Sequence, residues 1–312
     1  MRAVVVREAG GPEALELVEV PVPTAGVGQV RIRVEAAAVN PVDALTRSGA
    51  LGAAGLLPPR DVVGIGWDVA GSIDEVGPGV RGFAPGERVI GVRDRLDVTL
   101  GTYADFVVLD AAAVAAAPAR LSAAEAATLP LNGLTALQAL DRLVLAPGAT
   151  LLVTGAAGAV GGYAVQLAAL RGLRVVAYAG AADEEFARAV GAQWFVPRSG
   201  DLAEDVRALV PGGVDAALDT AVLGVAALGA VRNHGSFVSV VGGAAPVPLR
   251  GITVTEQWVA ADDAALARLS ALAEDGRLTA RVADTMPLAE AVRAHRRLDD
   301  REVLRGRLVL VP

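Results

Sequence analysis

Two textures of hydrophobic and polar positions follow one another along the chain. Over the first hundred or so residues, short apolar runs alternate with turn residues, which predicts strands at 3–7, 15–21, 29–39, 68–76, 88–92 and 104–108. Gly and Pro clusters at 10–12, 78–79 and 85–86 punctuate these runs as hairpins and barrel corners require, so this part is an antiparallel, turn-rich β module. From Ser122 the period lengthens. Ser122 and Glu125 form a capping box for a helix through Thr128, and 133–143 predicts a second. Strands at 150–154, 174–178, 193–196, 216–219, 235–241 and 253–257 then alternate with helices at 159–171, 183–190, 202–210 and 225–232. That spacing predicts a parallel, doubly wound α/β sheet. Helices at 261–275 and 286–298 and a strand at 307–311 lie beyond the six strands, so the chain is expected to return to its first domain. The expected domains are 1–120, 121–257 and a return segment, 258–312.

The 312 residues suffice for two domains, and 53% hydrophobic residues with a mean hydropathy of +0.47 supply sizeable cores. A net charge of −7 and only 4% aromatic residues remove both the basic footprint and the stacking surfaces that nucleic-acid binding needs. The twenty residues 151–170 carry no charge, the length of a membrane span, but Gly and Ala dominate and Thr154 and Gln166 interrupt, which argues against insertion. The opening MRAVVVREAGGPEAL breaks into charge and glycine too early for a signal peptide, so a cytoplasmic location is expected. Three absences narrow the chemistry. There is no Cys, hence no disulfide, thiol nucleophile or Cys-ligated zinc; no Lys, hence no Schiff base; and only two histidines, His234 and His295.

The stretch TLLVTGAAGAVGGYAVQLAALRG (150–172) combines a buried strand, a glycine turn and an apolar-periodic helix. Gly158 and Gly161 stand at the last two glycine positions of a dinucleotide fingerprint, with Ala156 in the first. Gly158, Ala159, Val160 and Gly161 would present helix N-terminal amides to a diphosphate. Gly242 and Gly243 close the run SFVSVVGG at a strand end, where a nicotinamide would pass close to backbone. No carboxylate ends the strand at 174–178, which favours NADPH over NADH without excluding the latter.

Taken together, AAAVNPVDALTRSG (36–49), GWDVAGSIDEVGPGVRGFAPGERV (66–89), GTYADFVVL (101–109), LPLNGLTALQAL (129–140), GAAGAVGGYAVQLA (155–168) and AHRRLDD with RGRLVL (294–310) resemble the zinc-free quinone oxidoreductase branch of the medium-chain dehydrogenase/reductase superfamily, the zeta-crystallin-like reductases. The blocks keep the family's order over nearly the whole chain. The resemblance implies a GroES-like β-barrel catalytic domain, a Rossmann cofactor domain inserted into it, and NADPH-dependent reduction of a small electrophilic acceptor, a quinone or an activated enone. It also implies a homodimer formed through an edge strand such as 253–257. Zinc-using relatives carry His and Glu in a GHExxG segment, and here that segment is Gly66-Trp67-Asp68-Val69-Ala70-Gly71, so no catalytic zinc is expected. Hydride delivery to an already electrophilic acceptor needs alignment more than a Lewis acid.

Individual positions carry two readings each. By resemblance Asn40 lines the nicotinamide and acceptor cleft; by residue type it is a turn former before Pro41. Asp43 is expected to cap the following short helix rather than act as an acid, and a Tyr or Lys that relatives place two positions on is Leu45 here, followed by Thr46. Tyr103 borders the cleft in relatives, against a rim or core tyrosine that satisfies its hydroxyl locally. Thr135 matches the threonine that approaches the nicotinamide ribose, against an ordinary helix-start hydroxyl. Gly180 replaces the serine of relatives at the 2′-phosphate, and Arg198 stands where they contact adenine; Arg198 is expected on adenine or the 2′-phosphate, against a solvated loop arginine. His234 and His295 are expected to be structural, and Trp258 either lines the acceptor pocket or belongs to a core. Pocket shape is left to the loops at 50–59 and 92–100. Two alternatives remain: an enoyl-thioester reductase, and a dinucleotide-binding protein with little catalysis.

Overall fold

A computed structural model describes residues 1–300 and 304–312, and the 301–303 portion of the tail block lies outside the described residues. The chain divides into two compact units, Met1–Leu131 with Ala260–Gly276 and Ala280–Pro312, and Asn132–Val259 with Arg277–Thr279. The first is a β unit. Its strands are β1 (Arg2–Val6), β2 (Glu16–Glu19), β3 (Gln29–Ala38), β4 (Val63–Gly64), β5 (Asp68–Val76), β6 (Arg88–Val92), β7 (Phe106–Asp110) and β8 (Val114–Ala116). Helices α1 (Pro41–Arg47), α2 (Ala50–Ala53) and α3 (Ala123–Ala126) accompany them. A fourth helix, α4 (Pro130–Leu143), starts at the end of this unit.

The second unit holds β9 (Thr150–Thr154), β10 (Arg174–Ala179), β11 (Trp194–Pro197), β12 (Val214–Asp219), β13 (Val231–Ser239) and β14 (Thr253–Glu256). Between them run α5 (Ala159–Leu170), α6 (Glu184–Ala189), α7 (Leu202–Leu209) and α8 (Val225–Ala230). The chain then re-enters the first unit through α9 (Asp263–Glu274), β15 (Val282–Pro287), α10 (Ala291–Asp299) and β16 (Arg307–Val311).

The long strand β3 organises the first unit. Val30, Ile32 and Val34 face inward while Arg31 and Arg33 alternate outward, so one face enters a core with Val69, Ile73, Val89 and Leu310. It pairs antiparallel with β5, β7 and β16, within a sheet ordered β15-β16-β3-β5-β6-β8 with β7 on β3. In the second unit the order is β11-β10-β9-β12-β13-β14 and every pairing is parallel. Sequence order therefore reverses direction between β9 and β12, the switch point at whose carboxyl edge α/β sheets bind ligands. All five residues of β9 are buried, as a central strand covered on both faces requires.

The expected helix at 286–298 is a correction. Met286 and Pro287 finish β15, which pairs parallel with β16, and α10 begins only at Ala291. Pro287 pushes Met286 out of helical backbone, and the Met286 side chain is buried in the barrel core. The strands β4, β8 and β15 are not among the predicted ones; β4 is two residues long and β8 lies within an alanine-rich run. Helix α3 lies in the first unit, where the sequence boundary at 120 would have put it in the cofactor domain. The uncharged stretch 151–170 is split between β9 and α5, and no helix among the described residues is long and apolar enough to cross a membrane.

Candidate functional site

In the barrel unit, Asn40 joins two buried carboxyl groups. It ends an extended segment (φ −122°, ψ 156°) and precedes Pro41, whose fixed φ suits the first position of α1. Its backbone N–H donates to Asp43 Oδ2 at 2.7 Å and its Nδ2 donates to Asp68 Oδ2 at 2.7 Å. Asp68 opens β5, and its Oδ1 accepts the Leu131 N–H at 2.5 Å. The Tyr103 hydroxyl donates to Asp43 Oδ2 at 3.1 Å. Asn40, Asp43, Asp68 and Tyr103 are all buried.

Charge is expensive here. Burial pushes Asp43 up to about 7 against the hydrogen bonds it accepts from Asn40 and Tyr103, and burial pushes Asp68 up to about 7 with a further rise from the neighbouring Asp43. The Tyr103 phenol is raised well above its ordinary value, first by burial and then by Asp43. The cap of α1 is Asn40 and not Asp43, which stands at the third position of the helix and closes a capping box on the Asn40 N–H, and the same carboxyl holds a proton into the neutral range.

Behind Tyr103 lies His295, its ring edge-on at 82° and 5.9 Å between centroids. Arg47 Nη1 stands 2.9 Å from His295 Nδ1, and because arginine only donates, that nitrogen is the acceptor and the proton sits on Nε2. Burial, then Arg47, pushes His295 down to about 4, so the imidazole is neutral. Arg47 Nη2 in turn donates to Asp299 at 2.7 Å. The histidine is thus structural in its contacts, a buried acceptor for a buried arginine.

A metal does not fit this donor set. Asn40 and Asp68 are bonded to each other, and the Trp67 indole N–H donates to Thr46 Oγ1 at 3.4 Å. Among the described residues no three His, Asp or Glu side chains converge so as to hold an ion.

In the second unit the glycine turn has the geometry a diphosphate requires. Gly155 leaves β9 in left-handed backbone (φ 60°), and Gly158 caps α5 in extended backbone. A Cβ on Gly161 would stand 2.1 Å from Gly155 O and 2.7 Å from Gly155 C, so only glycine lets the helix approach the strand end this closely. The first turn of α5, from Ala159 and Val160 to Gly161, directs its amides out of the helix end. Buried Asp219, at the end of β12, accepts from Thr154 Oγ1 at 2.6 Å and from the Gly224 N–H at 2.8 Å, bracing the switch point. The sequence reading missed this brace, and its only local signal was a carboxylate ending an apolar strand.

Of the other expected cofactor positions, Gly180, Arg198, Gly242 and Gly243 follow the carboxyl ends of strands of the same sheet. Gly180 follows β10, and the Arg198 N–H donates to Ala179 O at 2.8 Å, which sets the two side by side. Arg198 is exposed and its guanidinium has no partner among the described residues. Asp183 folds back, its Oδ2 only 3.2 Å from where a Gly180 Cβ would lie, so a carboxylate does reach the end of β10 although none ends the strand in sequence. Gly242 and Gly243 lie in the turn after β13. The Trp258 ring occupies the space of a Gly242 side chain, with Cζ2 at 2.0 Å from that position, and the indole is 52% exposed, so Trp258 is neither a core residue nor free of the glycine pair. Thr135 is buried well inside α4, which removes the helix-start reading of its hydroxyl.

Residues 26–119 match the family described as "Alcohol dehydrogenase GroES-like domain", and residues 190–310 match the one described as "Zinc-binding dehydrogenase". The chain is 41% identical over 189 residues to a chloroplast envelope quinone oxidoreductase homolog of Arabidopsis thaliana, a match that takes in 59% of this chain and 56% of that protein. The matched part is thus little more than half the length of that relative. An NAD-dependent alcohol dehydrogenase of Saccharolobus solfataricus is 32% identical over the full length of both chains. The chain belongs to the medium-chain dehydrogenase/reductase superfamily, in its quinone oxidoreductase branch. A mycobacterial protein solved in complex with NADPH superposes with a TM-score of 0.85 at 30% identity, covering all of both chains. The GroES-like barrel and the Rossmann sheet are those of this superfamily, and Asn40, Asp43, Asp68, Tyr103 and the glycine turn are placed on its two units as described.

Proposed function

We propose that this member of the superfamily is an oxidoreductase that passes hydride from NADPH to a quinone or an α,β-unsaturated carbonyl without zinc. The observation that carries the reading is the donor set around Asn40. Where a metal would need soft or imidazole ligands, an amide and two carboxyls are spent on one another and Trp67 offers only an N–H. An alcohol would have to be oxidised there without a Lewis acid, whereas a quinone or enone is electrophilic before it binds. Hydride adds to the acceptor carbon, the electron pair moves onto the carbonyl oxygen, and water or a hydroxyl returns the proton. The nucleotide itself is taken by the Gly155–Gly161 turn and supplies the hydride when bound.

Exposed, unpaired Arg198 beside Gly180 supports NADPH, since it can meet a 2′-phosphate. Asp183 at the same strand end favours a second reading, NADH, because a carboxylate there suits the ribose hydroxyls. The test is cofactor oxidation by the purified chain with NADPH and NADH against a small quinone, a neutral enone and an enoyl thioester. Turnover of quinone or enone is expected; turnover confined to the thioester would substitute the enoyl-thioester reading, and none with any acceptor would leave a dinucleotide-binding protein.

A further inference from the structure

Four residues other than glycine hold left-handed backbone among the described residues: Val144, Val222, His234 and Arg250. His234 and Arg250 brace one another, the His234 N–H donating to Arg250 O at 3.1 Å and the Arg250 guanidinium donating to Val231 O at 2.8 Å and Leu228 O at 2.7 Å. Val144 follows α4, where a left-handed residue commonly ends a helix. Val222 has no such account. Its φ is 58°, a conformation that a β-branched side chain resists, and the residue is 52% exposed, so packing within the chain does little to offset the strain.

The turn around Val222 is fixed from both sides. Thr154 Oγ1 accepts the Thr220 N–H at 3.0 Å and the Ala221 N–H at 3.2 Å, Thr220 Oγ1 donates to Thr154 O at 2.6 Å, and Asp219 accepts the Gly224 N–H at 2.8 Å. Backbone strain persists where its surroundings over-determine it, and such places gather at ligand sites. This one lies past the carboxyl end of β12, at the crevice of the switch point. On the β9 side, a Cβ at Gly155 would stand 2.8 Å from Thr220 Oγ1 and 3.3 Å from Ala221 Cβ; on the β13 side, one at Gly224 would stand 3.9 Å from Ala244 O. Val222 is thus flanked by the turn expected to take the diphosphate and the turn expected beside the nicotinamide.

We propose that Val222 is a contact residue for the bound dinucleotide, its isopropyl group held out by the strained turn to seat the nucleotide between its diphosphate and its nicotinamide. This role deepens the dinucleotide reading of the Gly155–Gly161 turn and rests on it. Glycine at this position would relieve the strain and leave the nucleotide no side chain to rest on. Stability and affinity therefore move in opposite directions when Val222 is replaced by glycine. The competing account, in which the side chain serves the fold alone, has the two fall together or leaves affinity untouched.

The test uses the full chain with Val222→Gly, Val222→Ala and, as a strained position outside the turn, Val144→Gly. Urea unfolding is expected to show a higher midpoint than the parent for both glycine variants. In calorimetric titrations, Val222→Gly is expected to weaken NADPH and NADH by about fivefold or more and Val222→Ala by about threefold or more, with Val144→Gly within about twofold of the parent. ADP, which ends at the diphosphate, is expected to bind the parent and the variants alike, within about twofold. A Val222→Gly protein that is no more stable than the parent, or that is more stable and binds both cofactors as the parent does, overturns the contact. So does a loss that ADP shares equally, or one confined to Val222→Gly and absent from Val222→Ala, which would belong to the freedom of glycine and not to the missing methyls. A parent that binds neither NADPH nor NADH sinks the dinucleotide reading itself, and the contact with it.

Discussion

Replacing Asp43 by asparagine should make the stability of the barrel unit less dependent on pH in a direction and window that the site fixes. An unfolded Asp43 titrates near 3.8, and the folded one keeps its proton up to about 7 because it is buried. Between those values the native state binds more protons than the unfolded state, so stability is full below the lower value and is lost as pH rises through the upper one. About three pH units at 1.36 kcal/mol each make roughly 4 kcal/mol. In Asp43→Asn the amide oxygen would keep the acceptor that the Asn40 N–H and the Tyr103 hydroxyl use, and the NH2 would fall where Asp43 Oδ1 now has no partner. The two proteins should therefore agree to within about 1 kcal/mol near pH 4.5, and the variant should be ahead by roughly 4 kcal/mol above pH 7.5. Urea unfolding from pH 4.5 to 8.5 tests this, read from Trp67 in a background with Trp194 and Trp258 changed to Phe, so that the signal belongs to the barrel unit. A difference between the two proteins that stays constant across that range would refute the claim that Asp43 is buried and proton-bound.

Three further outcomes follow from the same geometry. Gly161→Ala puts a methyl 2.1 Å from Gly155 O, and since both sides are backbone, α5 must move; a loss of about 1–3 kcal/mol in unfolding free energy and about tenfold weaker dinucleotide binding are expected in urea melts and fluorescence titrations. Arg198→Ala should weaken NADPH by about tenfold while leaving NADH within about twofold, and equal losses for the two cofactors would remove the 2′-phosphate from this arginine. His295 is neutral when folded, down at about 4 against an ordinary 6.5, so the native state binds fewer protons between those values and stability falls as pH drops through them, by up to about 3 kcal/mol. His295→Gln should flatten that acid limb, and an unchanged slope between pH 4.5 and 6 would show that the imidazole is not held neutral.

The amino-acid sequence by itself determined what depends on neighbours in the chain. Period and punctuation placed most strands and helices to within a few residues, because side-chain alternation and turn residues act locally. The glycine turn was legible for the same reason: strand, turn and helix are consecutive, and the tight approach of Gly161 to Gly155 follows from their spacing. Absence of cysteine excludes thiolate metal ligands whatever the fold.

Tertiary structure alone decided what depends on residues far apart. Asn40 meets Asp68 across 28 positions and Asp43 meets Tyr103 across 60, so no motif could show that one amide links two proton-holding carboxyls. Arg47 reaches His295 across 248 positions, which turned an isolated histidine on an apolar-patterned helix into a buried acceptor. Met286 became strand because β16 was there to pair with it, and Trp258 settled over Gly242 because the turn after β13 came back to it. Arg60 follows the loop at 50–59 and Arg93 lies in the loop at 92–100, and only folding brought both guanidiniums to Val98 O. Burial changes the charge a side chain can carry, and burial is a property of the packed chain, which is why the sequence placed the nucleotide turn and the structure placed the protons.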